Sequence, residues 1–280
     1  MNKKISKIAF YFNSKNKRAL KAFNLIKSYI NKKYSFIVLN DKNPDVIFVL
    51  GGDGMIIRAV KSFNYINSLF FGLNLGKVGF LTSVRDSKDF LKSIDEFLKG
   101  NYFVSTRNLL KVEVVRDNAV LFRDDVLNEI VVQSLVWVVC ADILIDDFLF
   151  QHIRGTGVLV STPTGSTAYN LSAHGPVIMP NIECFVLTEL MDHNIPTPSL
   201  VIPKDKKIRI DIVDFREKEL FLLKSKNISC DVMLVSDGSN LFALKKGDKI
   251  NIKNNIKKIK LVELEKDYFL SSLKNKFYIK

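Results

Sequence analysis

Two hydrophobic periods divide the chain. Through about residue 100, short apolar runs alternate with stretches whose apolar positions recur every three or four residues. The runs at 7–12, 36–39, 45–50 and 68–73 predict strands. Residues 15–30 carry Ala19, Phe23, Ile26 and Ile30 at helical spacing, and residues 55–63 resume that spacing after a glycine turn. A third helix is predicted over 87–98, with Ser87 as its N-cap and Gly100 as its stop. Alternating strands and helices imply a mostly parallel sheet covered by helices.

After Asn101 the helical period nearly disappears. Strands are predicted at 109–115, 120–122, 128–133, 136–145, 148–153, 158–161, 207–213, 219–223, 232–236, 241–244 and 249–252. Turn signals such as Arg116-Asp117-Asn118 and Asp237-Gly238-Ser239-Asn240 separate them. Only 167–173 and 182–191 read as helical there. The amphipathic end, 267–277, predicts a helix that returns to the first domain. The expected organisation is an α/β domain over residues 1–103, with 265–280 packing back on it, and a β-rich domain over 104–264.

Composition changes this picture little. The hydrophobic fraction of 47% supplies an ample core. The 42 Lys and Arg exceed the 29 Asp and Glu, giving +13. Those cations are scattered in pairs such as Lys32-Lys33 and Lys257-Lys258, which is the pattern of a solvated surface. No nucleic-acid partner is expected. Cys140, Cys184 and Cys230 are far apart and form no CxxC, so neither a disulfide framework nor a zinc site is expected, and a reduced cytoplasm fits. The longest apolar stretch, 130–145, is broken by Gln133, Ser134 and Asp142 and reads as strands, not as a membrane span. The apolar run at 8–12 is too short for a signal-peptide core.

Four segments carry candidate chemistry. Gly51-Gly52-Asp53-Gly54 follows an apolar strand and opens a helix. Its backbone N–H groups can meet phosphate oxygens at the carboxyl end of a parallel strand. A carboxylate among phosphate-binding glycines needs a purpose, and Asp53 could hold a cation or take a proton from an attacking hydroxyl. The loop from Gly72 to Leu81 lacks both the dinucleotide and the Walker A spacing and reads alone as structural. Ser161-Thr162-Pro163-Thr164-Gly165-Ser166-Thr167-Ala168-Tyr169 crowds hydroxyls between a strand and a short helix, where they could grip a base, a ribose or a phosphate, or merely cap the helix. Asn128-Glu129 heads an apolar strand and reads in isolation as a strand end at the surface. His152, His174 and His193 lie in no catalytic motif.

Taken in order, these segments resemble the bacterial-type NAD kinase family. The most specific of them is the Ser161–Tyr169 string, continued by Leu171-Ser172-Ala173, Gly175-Pro176 and Ser199-Leu200-Val201-Ile202-Pro203. The resemblance implies phosphoryl transfer from ATP, or another phosphate donor, to the 2′-hydroxyl of the adenosine ribose of NAD. It implies a divalent metal ion, with Mg the expected one, and a site in a cleft between the two domains. Asp53 would be the catalytic base or orienter, and Gly51, Gly52 and Gly54 would bind phosphate. Asn128, Glu129, Thr167, Ala168, Tyr169, Ser172, Phe80, Arg154 and Thr156 would bind NAD, with Phe80 beside the adenine. Asp237 matches a further family position. The family is typically a homodimer or homotetramer. The chain departs from it at Met55, where a polar residue is frequent, and at His174, where Gly is frequent. It departs again at Thr156, where Asp is usual, which bears on the choice between NAD and NADH. A lipid kinase shares GGDG but not the Ser161–Tyr169 string. A non-catalytic nucleotide-binding regulator would not need to keep Asp53 with Asn128 and Glu129.

Overall fold

A computed structural model describes residues 5–64, 68–76, 79–134, 136–193, 197–218, 221–223 and 228–277. Lys77 and Val78 of the second glycine loop, and Glu219 and Leu220 of one expected strand, lie outside them. Two compact units divide the chain, one formed by Met1–Arg107 with Lys258–Lys280 and the other by Asn108–Lys257.

The first unit contains β1 (Lys7–Phe12), α1 (Lys17–Lys33), β2 (Val38–Leu39), β3 (Val46–Leu50), α2 (Asp53–Ser62), β4 (Leu69–Leu73) and α3 (Phe90–Leu98). Asn16 starts α1 because its side chain accepts from the N–H groups of Arg18 and Ala19. The helix buries Ala19, Ala22, Ile26 and Ile30, close to the stripe its spacing predicts. Asp86, not Ser87, caps the short 3₁₀ turn ahead of α3, because its carboxylate reaches the Lys88 N–H. The parallel pairs β2–β1, β1–β3 and β3–β4 form a sheet with β3 at its centre. All five residues of β3 are buried, as expected of a parallel strand covered on both faces.

The second unit is antiparallel. Its strands are β5 (Phe103–Arg116, which begins in the first unit), β6 (Ala119–Val126), β7 (Glu129–Ser134), β8 (Val139–Ile145), β9 (Phe148–Ser161), β10 (Cys184–Asp192), β11 (Leu200–Pro203), β12 (Ile208–Phe215), β13 (Phe221–Leu223), β14 (Ile228–Cys230), β15 (Val232–Ser236) and β16 (Asn240–Ala243). The short α4 (Tyr169–Ser172) follows a 3₁₀ turn at Gly165–Thr167. The long β17 (Lys249–Glu263) pairs antiparallel with β12 through its first residues. Its Lys260 and Leu261 pair with β4 in the first unit's sheet. The closing helix, α5 (Tyr268–Phe277), belongs to the first unit. The expected class, a parallel α/β domain followed by a β-rich domain, is the observed one.

Three expectations fail for physical reasons. Residues 182–191 form β10, not a helix. A short apolar run such as Cys184-Phe185-Val186-Leu187 has no decisive period, and pairing with β9 on one edge and β11 on the other settles its state. Residues 148–153 and 158–161 are one strand, β9, which pairs with β8 up to Gly155 and with β7 from Gly157. Residues 249–252 are only the start of β17, whose continuation through Lys253-Asn254-Asn255 is too polar to show in the pattern. Among the described residues, no helix is long and apolar enough to cross a membrane.

Candidate active site

In the first unit the glycine turn follows β3, and α2 begins at Asp53 itself. The Gly51 N–H is donated to the Leu73 carbonyl at 3.0 Å, so this glycine ties the turn to β4. The first-turn N–H groups of Asp53 and Gly54 have no intrahelical acceptor and point along the positive end of the helix dipole. Asp53 is not an N-cap. Its Oδ2 accepts from Phe80 N–H at 2.7 Å and its Oδ1 from Leu81 N–H at 3.0 Å. The second glycine loop is therefore the support of the carboxylate. A Cβ at Gly79 would lie 2.1 Å from Asp53 Oδ1, so only glycine lets the loop come this close. Sequence reasoning did not single out Gly79, and its place just before Phe80-Leu81 in the second glycine loop is the available signal.

The Phe80 ring is 4% exposed and packs against Phe269 and Phe277 of α5, with Lys276 Nζ 4.5 Å from its centroid. In this arrangement the Phe80 N–H is the donor that holds Asp53. Arg107 is fully buried and bonds Glu263 at 3.1 Å. Burial pulls its guanidinium below the usual arginine range, while the Glu263 and Asp53 charges oppose that shift. A cavity of about 640 Å³ is lined on α1 by Arg18, Lys21 and Leu25, and elsewhere by Asn74, Gly76 and Arg85. The Asn74 side chain lies 4.0 Å from where a Cβ on Gly52 would stand.

In the second unit, Asn128 and Glu129 sit where β7 meets the hydroxyl-rich loop. The Asp237 carboxylate accepts from Leu127 N–H at 3.1 Å and Asn128 N–H at 2.7 Å, and the Asp237 N–H returns to the Glu129 carbonyl at 3.0 Å. The pair is not a surface strand end, since Glu129 is 7% exposed. Asn128 Oδ1 and Glu129 Oε2 are buried with no partner among the described residues. Buried polar atoms are almost always bonded, and two such orphans on consecutive residues mark a place for a polar ligand.

Burial pushes the Glu129 carboxyl up to about 8, with the Asp237 charge adding and the Tyr169 N–H opposing. The folded protein then holds a proton that the unfolded chain, near 4.5, has lost. Stability falls as pH rises through that window, by about 1.4 kcal/mol per unit at most. Glu129→Gln, a copy of the neutral form, removes this loss. Its melting temperature relative to the parent should climb from pH 5 to pH 8. A difference that stays flat with pH would refute the assignment.

The hydroxyls of the Ser161–Tyr169 loop are mostly spent on the loop itself. Thr162 Oγ1 donates to the Leu127 carbonyl at 2.6 Å and accepts from Gly165 N–H at 3.1 Å. Ser166 Oγ donates to the Pro163 carbonyl at 2.7 Å and accepts from Ile178 N–H at 2.9 Å. Thr167 Oγ1 donates to the Thr164 carbonyl. This network fixes the course of the loop beside Asn128, and the exposed Tyr169 and Ser172 project from the following turn. Arg154 is exposed and Thr156 half-buried. The glycines flanking Thr156 answer to neighbouring strands. A Cβ at Gly155 would meet the Met191 carbonyl at 2.6 Å, and one at Gly157 the Val132 carbonyl at 2.0 Å. His174 adopts a left-handed backbone, φ 61°, which glycine takes without strain. All three histidines are exposed.

Among the described residues, no three His, Cys, Asp or Glu side chains cluster as a metal cage. The Asp53 carboxylate at the glycine turn is an oxygen donor of the kind a divalent cation carried by phosphates takes.

A family model described as the ATP-NAD kinase N-terminal domain matches residues 2–102, and one for the C-terminal domain matches 123–264. An NAD kinase of Caldicellulosiruptor saccharolyticus is 32% identical over 88% of this chain and 89% of its own. One of Lachnospira eligens is 30% identical over 96% and 93%. The fold matches yeast NADH kinase complexed with NADH, with TM-score 0.87, 20% identity and coverage of 99% of this chain and 88% of that one. It also matches an NAD kinase from Archaeoglobus fulgidus in complex with ATP, with TM-score 0.69, 21% identity and coverage of 98% and 99%. Two family models that together span most of the sequence, and relatives alike along nearly all of it, agree with the fixed Asp53 and the orphaned Asn128–Glu129 pair: the chain belongs to the NAD kinase family, enzymes that phosphorylate NAD.

Proposed function

We propose that the chain transfers the γ-phosphoryl group of ATP to the 2′-hydroxyl of NAD's adenosine ribose, with Asp53 as base or orienter. The observation that carries this reading is the Asp53 carboxylate, fixed by two backbone donors at a glycine turn on the carboxyl end of a parallel strand. A ribose hydroxyl is a weak nucleophile at neutral pH, and a positioned carboxylate that takes its proton makes attack on phosphorus feasible. The new O2′–phosphorus bond forms as the bond to the β-phosphate oxygen breaks, so ADP leaves. Asn128 and Glu129 hold the adenosine hydroxyls, while Thr167, Ala168 and Tyr169 shape that pocket. Arg154, Thr156 and Ser172 lie on the nicotinamide side. A divalent cation on the donor phosphates, with Mg the fitting one, supplies charge neutralisation.

Incubating the protein with Mg-ATP and NAD and reading NADP with an NADP-specific dehydrogenase tests the reading. Folded protein that makes no NADP above a blank overturns it. The same assay with NADH reads the effect of Thr156, which offers no negative charge to favour oxidised nicotinamide, so phosphorylation of NADH alongside NAD is expected.

The donor's polyphosphate fits the cavity lined by Arg18 and Lys21, whose lining residue Asn74 also stands near Gly52 of the GGDG turn. Lys21→Glu should raise the KM for ATP roughly tenfold, a loss the size of one charged contact, and leave the KM for NAD unchanged. Equal donor KM values in both proteins would place the donor elsewhere. The apolar strands of the second unit and the habit of the family support a homodimer or homotetramer in the cytoplasm. Light scattering at micromolar concentration reads the assembly, and an active monomer contradicts it.

A further inference from the structure

Asp53 depends on its loop, and the loop depends on the end of the chain. The N–H groups that hold the carboxylate belong to Phe80 and Leu81. On one side the following residues are tied to β4, since Ser83 and Val84 N–H both reach the Gly72 carbonyl. On the other side the ties run to the C-terminal segment. The Tyr268 hydroxyl donates to the Thr82 carbonyl, and Ser83 Oγ donates to the Val262 carbonyl. The Arg85 guanidinium stacks 4.5 Å over the Tyr268 ring and bonds Ser272 Oγ at 3.1 Å. The Phe80 ring rests on Phe269 at 5.6 Å. Thr82 is 0% exposed and Tyr268 3%, so water does not replace a lost bond there without opening the core.

We infer that Tyr268 is a positioning residue for Asp53: through the Thr82 carbonyl it sets where the Phe80 and Leu81 N–H groups stand, and so where the carboxylate meets the acceptor hydroxyl. This rests on the reading of Asp53 as base or orienter. Tyr268 touches neither substrate nor phosphate in that scheme. It acts two residues away, by fixing a carbonyl whose peptide chain leads directly into both donors. Small displacements of a reacting group are costly in rate and nearly silent in binding.

Tyr268→Phe keeps the ring and the Arg85 stack and removes only the hydroxyl. Steady-state kinetics should show kcat lowered roughly tenfold, with KM for NAD and ATP each within about twofold. Combined with Asp53→Asn, the substitution should lower kcat no further, because the residue it positions has lost its function. Leu270→Ala, on the 50%-exposed face of the same helix, should leave kcat unchanged. Unchanged kcat in Tyr268→Phe overturns the inference, as does a change confined to KM. A fall that multiplies with that of Asp53→Asn overturns it too, since a merely structural tyrosine would act in either background. If Tyr268→Phe does not fold, Phe269→Leu decides by the same criteria, with an expected fall of about threefold. An Asp53→Asn protein with parental turnover would instead remove the reading of Asp53 and leave the clamp a separate structural fact.

Discussion

Asp53→Asn lowers kcat by about a hundredfold or more while NAD still binds. The amide keeps the shape of the carboxylate, and its oxygen can keep one of the two backbone bonds. It cannot take a proton from the ribose hydroxyl, and loss of a general base costs about 10²–10⁴ in rate. Its NH₂ group also faces a donor, either the Phe80 or the Leu81 N–H, where the carboxylate presented an acceptor. That mismatch adds to the loss in turnover without touching the adenosine contacts assigned to Asn128 and Glu129. Steady-state kinetics and calorimetric titration of NAD separate the two effects. Near-parental kcat would remove Asp53 from the chemistry, and loss of NAD binding would show that it acts on affinity instead.

The elements legible in the sequence are those whose period and punctuation agree. Helix α1 has an Asn16 cap and a stripe at Ala19, Ala22, Ile26 and Ile30, so local and tertiary preference coincide. Strand β3 is a wholly apolar run ended by glycines. The misread elements are those decided by partners far along the chain. Cys184–Asp192 is a strand because β9 and β11 lie on its two edges. The polar half of β17 is held by register with distant strands rather than by a visible face.

The candidate site divides in the same way. Gly51–Gly54 stands out because a glycine turn that follows an apolar strand and opens a helix suits an anion, whereas Asn128–Glu129 reads alone as a surface strand end and only its burial sets it apart. The hydroxyl-rich loop stands out too, and its Thr162 and Ser166 hydroxyls donate to backbone carbonyls, so part of that density holds the course of the loop. The glycines around Thr156 mark a backbone that is approached closely, and the close neighbours are the carbonyls of Met191 and Val132. Sequence shows that a backbone must be approached. It does not show by what. Asp237 illustrates the converse. Its turn was plain, but its grip on the Leu127 and Asn128 N–H groups spans over a hundred residues and has no local signature.

Gly79→Ala should disable the enzyme almost as completely as loss of Asp53 itself, although Gly79 has no side chain and no proton to give. The new methyl would stand 2.1 Å from Asp53 Oδ1, 2.7 Å from Cγ and 2.9 Å from Oδ2. No rotation of the methyl relieves this, because it is fixed by the backbone, so the carboxylate or the loop must move. Asp53 is half-buried at the start of α2, and its side chain can swing outward at little cost to the fold. In doing so it abandons the Phe80 and Leu81 donors and the position that serves the acceptor hydroxyl. Turnover should fall by roughly a hundredfold, as expected when a general base is displaced, while the melting temperature shifts by only a few degrees. The KM for NAD should stay close to parental, since the adenosine contacts lie in another unit of the chain. In an Asp53→Ala background the methyl has no carboxylate to displace, and Gly79→Ala should then lower kcat no further. An equal fall in that background would show that the loop itself, and not the aspartate it holds, is what the methyl damages. Parental kcat in the single variant would show that the loop yields without disturbing Asp53.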